Sequence, residues 1–489
     1  MKKLIAIVLG LSMTVCAFAK LDIKQPCSDG MVLQQNTNAV VWGHATAGAQ
    51  VTVTPSWDKK AYKVTTDSEG VWKAYVKTPA ASYTNYKIKV KGDGGTMTIN
   101  DVLIGEVWVA SGQSNMEMPI RGFSGCPTEG AQEVIAAAAM PDKVRMCTID
   151  IYQPDEPIHD VHSTRGWEKA GPATVSEMSA TAFFFARQMN ASLDVPIGIL
   201  SLPRGGASVE SWMPKELLLK LGEDLSEERM AKESEWSCPF RMYNGMQVPV
   251  QGYTAKGFIW YQGCTNVGRD EQFVERMDLL VKQWRKDWGD SDNSMPFYMC
   301  EIAPYMYTGG QEGKAALLRQ AQHDAAKVIP NCGCIVTNDL CYEYEKHQIH
   351  PAQKRQVGER LAYMALHRNY GFERLACDSP EATGVSRPEA PKGFGNFGGF
   401  GSFGNGLSVA LTNCQNGLNR SEGITGLEVA GEDGAWQPVT NVFCFGGNMM
   451  VISNVENPTQ VRYGWGDFVP GNLKNAEGLP VAPFWVKLK

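Results

Sequence analysis

The chain has 489 residues, 43% of them hydrophobic, which is more than one hydrophobic core absorbs and enough to bury two or three domains. A formal charge of −6, with no local run of lysine and arginine, supplies no basic face for a phosphate backbone and sets nucleic-acid binding aside.

Residues 1–19 read as a signal peptide. Lys2 and Lys3 precede an apolar stretch from Leu4 to Val15, and Ala17-Phe18-Ala19 forms a small-residue cleavage site. The expectation is export to a bacterial periplasm or the medium, with a mature chain from Lys20. Val15 stands where a small residue would precede a lipidated Cys16, so plain export is favoured over a lipid anchor. No later segment approaches the ~18 uninterrupted apolar residues of a membrane span. Of the 13 cysteines, Cys332, Cys334 and Cys341 cluster near His347 but match no zinc-ligand spacing, so they read as core or disulfide residues and no metal is expected.

From residue 20 to 100, short alternating runs such as "AVVWGH", "AQVTVTPSW" and "YKIKVKG" are divided by "ATAG", "DSEG" and "GDGG". Period-two alternation with glycine punctuation predicts an antiparallel, sandwich-like β module. From residue 101 to 370 the pattern changes. Apolar runs "VLIGEVWVA", "PIGILSL", "GFIWYQG", "PFYMCEIAP" and "GCIVTNDL" alternate with helical stretches "SATAFFFARQMNASL", "EQFVERMDLLVKQWRKDW", "KAALLRQAQHDAAKV" and "PAQKRQVGERLAYMALH". Such alternation predicts an α/β domain with a parallel sheet covered on both faces, its site in the loops beyond the strands' carboxyl ends. Residues 371–489 return to β character after a Phe/Gly-rich stretch at 391–406 that reads as a linker.

Within "GEVWVASGQSNMEMP" (105–119), Ser114 follows a strand end and precedes a helix, where a hydroxyl can project over the sheet and its own N–H can face an oxyanion. The ordinary role of a serine there is to cap the helix. However, "VWVASGQSNMEM" resembles the nucleophile block of the SGNH (GDSL-type) hydrolases, specifically the sialate O-acetylesterase group. "DGMVLQQ", "VVWGHATAG", "PIGILSLPRGGASVESWMP", "GFIWYQGCTN", "IHPAQKRQVGERLA" and "VRYGWGDFVPGNLKNAEGLPVAPF" look like that group's further blocks, in the same order.

The resemblance implies a three-layer α/β/α SGNH domain between the two β-rich modules, and a serine esterase that deacetylates a sugar without a cofactor. It makes Ser114 the nucleophile and His350 the general base, and it makes an oxyanion hole of the Ser114 N–H, Gly206 (in preference to Gly205) and the Asn266 side chain. An imidazole that takes the serine proton and later returns it to the leaving alkoxide is the chemistry such a pair performs. The chain departs from the group in two places. Gln348 and His347 stand where an acid commonly precedes the histidine, and Cys264 stands in "QGCT" where "QGES" is common. Three readings of the third member remain: a serine–histidine dyad, an acid supplied by Asp339, Glu343 or Glu345, or a weakened enzyme. Gln113, Arg204 and Trp212 are candidate substrate contacts, Arg204 because a sugar carboxylate needs a fork of donors. Glu210 reads as a loop brace. The expected partner is an O-acetylated sugar, most simply a 9-O-acetyl sialic acid. The alternatives are an acetylated polysaccharide such as xylan, or a carbohydrate-binding homologue with impaired catalysis. The oligomeric state is not legible in the sequence.

Overall fold

The structure is a computed structural model that describes residues 20–137, 143–310, 312–388, 406–419, 423–439, 442–445 and 447–489. The expected signal peptide and positions 391–405 lie outside the described residues.

The amino-terminal strands are β1 (Asp22–Ile23), β2 (Val32–Gln34), β3 (Asn38–His44), β4 (Gln50–Pro55), β5 (Tyr62–Thr65), β6 (Val71–Lys77) and β7 (Ser82–Gly92), followed by the long β8 (Gly95–Gly112). β1, β3 and β6 form an antiparallel sheet, and β6 alternates buried and non-buried residues as a half-buried strand should. β8 does two jobs. Its first half pairs antiparallel with β7, and its second half enters the central parallel sheet, so one strand runs unbroken through the 100/101 boundary suggested by composition.

After β8 come α1 (Ser114–Glu117), α2 (Ala131–Ala137), β9 (Val144–Ile149), β10 (Thr164–Lys169), α3 (Ala180–Leu193), β11 (Ile197–Pro203), α4 (Lys215–Lys220), α5 (Glu227–Met230), β12 (Gly257–Tyr261), α6 (Asp270–Asp287), β13 (Phe297–Cys300), α7 (Ala315–Val328), β14 (Cys332–Ile335) and α8 (Lys354–Tyr370). The sheet order is β10-β9-β11-β8-β12-β13-β14. All neighbours from β9 to β14 are parallel, whereas β10 closes the edge antiparallel to β9, so the sheet is mixed rather than purely parallel. β11, β12 and β13 are buried along their whole length, which explains their unbroken apolar sequences.

Alternate side chains feed two cores. Val107 and Val109 of β8, Leu200 of β11 and Trp260 of β12 join a cluster with Phe273 and Trp284 of α6 and Leu318 of α7. Trp108, Ala110, Ile199 and Ile259 join the other, with Phe184 of α3 and Leu361 of α8. α3 begins at Ser179, whose hydroxyl accepts the Ala182 N–H, and α8 ends at Gly371 in the left-handed conformation. The two helices meet closely at Gly358, where an added Cβ would stand 2.6 Å from the backbone of Phe185 and of Thr181.

The carboxyl-terminal strands are β15 (Ala382–Ser386), β16 (Leu407–Leu411), β17 (Leu427–Ala430), β18 (Gln437–Pro438), β19 (Val442–Phe445), β20 (Asn448–Val451), β21 (Gln460–Tyr463) and β22 (Phe484–Lys487). They form two antiparallel sheets, β15-β16-β20-β19 and β18-β17-β21-β22, with a core of their own. This region is fastened to α7. The Asp467 carboxylate accepts the N–H groups of Gly313 and Ala315, Arg319 donates to the carbonyls of Gly466 and Asp467, and His323 lies between Glu301 and Glu381.

Candidate active site

The site forms where β8, β11 and β12 end. Gly112, the last residue of β8, has φ +132°, and a Cβ there would come within 2.3 Å of the Tyr261 carbonyl, so glycine lets β8 and β12 converge. Gln113 then occupies the N-cap and Ser114 the first helical position of α1, so the hydroxyl is not spent on capping. His350 lies in the loop leading to α8, and its Nε2 is 2.8 Å from Ser114 Oγ. Folding thus joins two residues 236 positions apart. Nearby, Asn115 Nδ2 donates to the Ile349 carbonyl and pins the histidine loop to α1.

Burial and the Lys354 ammonium together push His350 down to about 4, so the imidazole is neutral near pH 7. Lys354 is itself wholly buried, its Nζ donating to the Pro351 carbonyl, and burial brings it down to about 8.

The N–H groups of Ser114 and Gly206 have no hydrogen-bond partner among the described residues. Gly206, at φ +78°, is held in place by Thr265, whose hydroxyl donates to the Gly206 carbonyl at 3.0 Å, and by Glu117, whose carboxylate accepts the Gly205 N–H. Burial raises Glu117, while the Gly205 N–H and Arg204 work against that rise. Gly205 N–H is therefore committed, which leaves Gly206 as the free donor of this turn. Asn266 is buried and held from both ends. Its Oδ1 accepts from Gln262 Nε2 at 2.7 Å and from the Val209 N–H at 3.1 Å, and its Nδ2 lies 3.1 Å from Glu210. A second contact, 3.3 Å from Nδ2 to the other Glu210 oxygen, aims the amide donor at that carboxylate.

The three acids considered as a triad member are elsewhere. Asp339 forms two 2.7 Å bonds with Arg360 and an ion pair with Lys474. Glu345 accepts the N–H groups of Tyr342 and Ala352, each at 2.8 Å, and Glu343 is exposed. The group opposite His350 Nδ1 is the Cys126 sulfur at 3.9 Å. Two of the candidate substrate contacts are also displaced. Gln113 is buried and accepts the Gly263 N–H at 2.8 Å, and Trp212 has no exposed surface, packing edge-on against Trp260 and Trp284 in the core. Arg204 lies beside the glycine turn, with its guanidinium 5.3 Å from the ring centre of Trp236. Trp236, 49% exposed, is the aromatic residue at the site that sequence reasoning missed, together with Glu117, Phe123, Cys126 and Thr265. Only Glu117 left a signal, one helical turn after Ser114.

Leaving Cys444 aside, the eleven other cysteines among the described residues form no disulfide, and no three His, Cys, Asp or Glu side chains among the described residues gather as a metal site. No helix among them is long and apolar enough to cross a membrane.

A carbohydrate esterase, sialic acid-specific acetylesterase family model matches residues 104–367. Sialate O-acetylesterase of Mus musculus is 28% identical over 404 residues, covering 72% of this chain and 74% of that protein. The Homo sapiens sialate O-acetylesterase is 26% identical over 385 residues, covering 72% of each. The crystal structure of a carbohydrate acetylesterase from Xanthomonas citri superposes with a TM-score of 0.81 at 30% identity, covering 95% of this chain and 99% of that one. The chain therefore belongs to the sialic acid-specific acetylesterase family of carbohydrate esterases and is a carboxylic ester hydrolase.

Proposed function

We propose that this protein removes O-acetyl groups from a sugar through an acetyl-serine intermediate, using Ser114 and His350 as a dyad. The observation that carries the reading is the 2.8 Å contact between Ser114 Oγ and His350 Nε2 at the carboxyl ends of β8, β11 and β12. His350, neutral at working pH, takes the Ser114 proton as Oγ attacks the ester carbonyl. Negative charge then develops on the carbonyl oxygen, facing the free N–H groups of Ser114 and Gly206, with the Glu210-held amide of Asn266 as the third donor that the family implies. The imidazolium returns its proton to the sugar alkoxide, which leaves. Water, deprotonated by the same imidazole, releases acetate and restores the serine.

In this reading residues 101–370 are the catalytic SGNH domain of three α/β/α layers, residues 20–100 and 371–489 are flanking β modules, and residues 1–19 direct export to the periplasm or the medium. The two side-chain clusters on opposite faces of the sheet support the layered arrangement. The substrate proposed from the family is a 9-O-acetyl sialic acid, with Arg204 available to its carboxylate. A second reading, a neutral acetylated polysaccharide, is favoured by a hollow of about 230 Å³ beside the site. Its lining includes the carboxylates of Glu117, Asp150 and Glu177, and the Arg121 that also lines it is paired with Glu177.

Acetate release from an aryl acetate by wild type and Ser114→Ala tests the chemistry, and equal rates would refute it. Rates on acetylated sialic acids and on acetyl-xylan then decide between the substrates. Arg204→Ala should lower kcat/KM on the sialate alone, and an equal loss on both would remove Arg204 from carboxylate recognition.

A further inference from the structure

Behind His350, where the family's acid is expected, the described residues place no carboxylate in contact with Nδ1. The tautomer is set by the serine. Because Nε2 must accept the Ser114 hydroxyl proton, the ring proton resides on Nδ1 and needs an acceptor. The polar atom facing it is the Cys126 sulfur, 3.9 Å away.

Cys126 is not loosely placed. It closes a four-residue turn in which Phe123 and Cys126 exchange both backbone hydrogen bonds, at 2.9 and 3.0 Å. Gly122, just before the turn, has φ +80°, and a Cβ there would lie 2.3 Å from the Cys126 carbonyl, so the chain doubles back tightly. The turn is tied at both ends: the Gly122 N–H reaches the Pro119 carbonyl, and the Glu129 N–H reaches the Ala352 carbonyl two residues after His350. Phe123 sets its ring edge-on to the imidazole, with centroids 5.1 Å apart and 71° between planes. One turn therefore gives the imidazole both an aromatic wall and a sulfur acceptor.

We propose that Cys126 is the positioning residue of this esterase, its sulfur receiving the Nδ1–H of His350 and, with Phe123, holding the ring toward Ser114. The proposal rests on the Ser114–His350 reading given above. Sulfur is a weak, polarizable acceptor, so it orients the imidazole while lending the imidazolium less stabilisation than a carboxylate would.

The test uses the full-length protein, an aryl acetate and three variants whose thermal midpoints are measured alongside. Cys126→Ala should lower kcat about tenfold with KM unchanged, a part of the 10² to 10⁴ that positioned proton transfer supplies. Cys126→Ser, which keeps an acceptor, should recover most of that loss. Cys126→Asp should move the acid limb of the kcat/KM profile to higher pH, because a carboxylate at Nδ1 favours the imidazolium. That shift shows that position 126 faces Nδ1, and the alanine loss with serine recovery shows that the sulfur itself acts as the acceptor. If Cys126→Ala keeps the wild-type kcat, or Cys126→Asp leaves the limb unmoved, the proposal is overturned. The control separates the two failures. A wild type no more active than Ser114→Ala refutes the dyad itself, whereas an active dyad indifferent to Cys126 refutes only the role of the thiol.

Discussion

Replacing Glu210 should damage stability and turnover together, because one carboxylate serves both. Glu210 is 2% exposed, within a 3₁₀ turn (Val209–Trp212) closed by reciprocal contacts of Ser208 and Ser211. Burial pushes its carboxyl up, but Arg269 and Arg276 more than offset this and hold it below the usual range, so the ion pair persists at neutral pH. Arg276 of α6 is also buried and bonds both Glu210 and Glu223. Removing one partner of a buried pair costs roughly 3–5 kcal/mol, since the other charge is left uncompensated. Glu223 still answers Arg276 in Glu210→Ala, which places the loss near the lower figure, about 3 kcal/mol. The same variant releases Asn266 Nδ2, while Oδ1 stays bonded to Gln262 and to the Val209 N–H. Deleting an oxyanion donor outright costs on the order of 10² to 10³ in turnover, so a donor that is present but anchored at one end only should cost about tenfold. Urea unfolding followed by tryptophan emission reads the first effect as a lowered midpoint at unchanged slope, and kcat on an aryl acetate reads the second. Glu210→Gln, which keeps shape and an acceptor, should fall between. If Glu210→Ala loses less than about 1 kcal/mol and keeps wild-type kcat, the linkage of this network to the site is refuted.

Further outcomes follow from individual contacts. With His350 pushed down to about 4, kcat/KM on a neutral ester should hold steady through mildly acidic pH and fall only as pH drops through about 4, where the imidazolium has no room for the serine proton. Lys354→Met, which removes the cation acting on His350, should bring that limb toward 6.5, and a wild-type limb already near 6.5 would contradict the assignment. Buried His323 is pushed down by desolvation, yet hydrogen bonds to Glu301 and Glu381 dominate and raise it to about 9. A folded value above the unfolded 6.5 gives stability fully present below pH 6.5 and lost as pH rises through about 9, roughly 3 kcal/mol in all. Urea midpoints of wild type should show this loss between pH 6 and 9.5, and His323→Gln should flatten it. Gly358→Ala forces a methyl against two backbones and should cost about 1–3 kcal/mol in urea midpoint, and a neutral effect would mean that α3 and α8 separate freely.

Much of the central fold was legible because single elements carry their own period. α6 buries Phe273, Met277, Leu280, Val281 and Trp284, an amphipathic stripe readable from its letters, and the fully buried β11 and β12 read as continuous apolar runs. The run "GCIVTNDL" misled at its end. After Ile335 the chain leaves the sheet because the Thr337 and Asn338 N–H groups turn to the Glu301 carboxylate, so β14 is short and its loop carries the histidine. The antiparallel β10 and the four-residue α5 are too short for their patterns to rise above those of a loop. At the site, Ser114 and His350 were readable through motif and order, whereas Cys126 meets His350 across 224 positions without any periodic mark. Trp212 and Trp236 show the complementary failure. Proximity to a motif suggested the first, and burial alone reveals that the second is the exposed ring.

The most direct test of the account is covalent capture of the nucleophile. Treating the wild-type protein with a fluorophosphonate and mapping the adduct by peptide mass should place a single phosphonyl group on Ser114, with labelling abolished in Ser114→Ala and strongly slowed in His350→Ala. An adduct on another residue with esterase activity lost, or full activity with Ser114 quantitatively blocked, would contradict it.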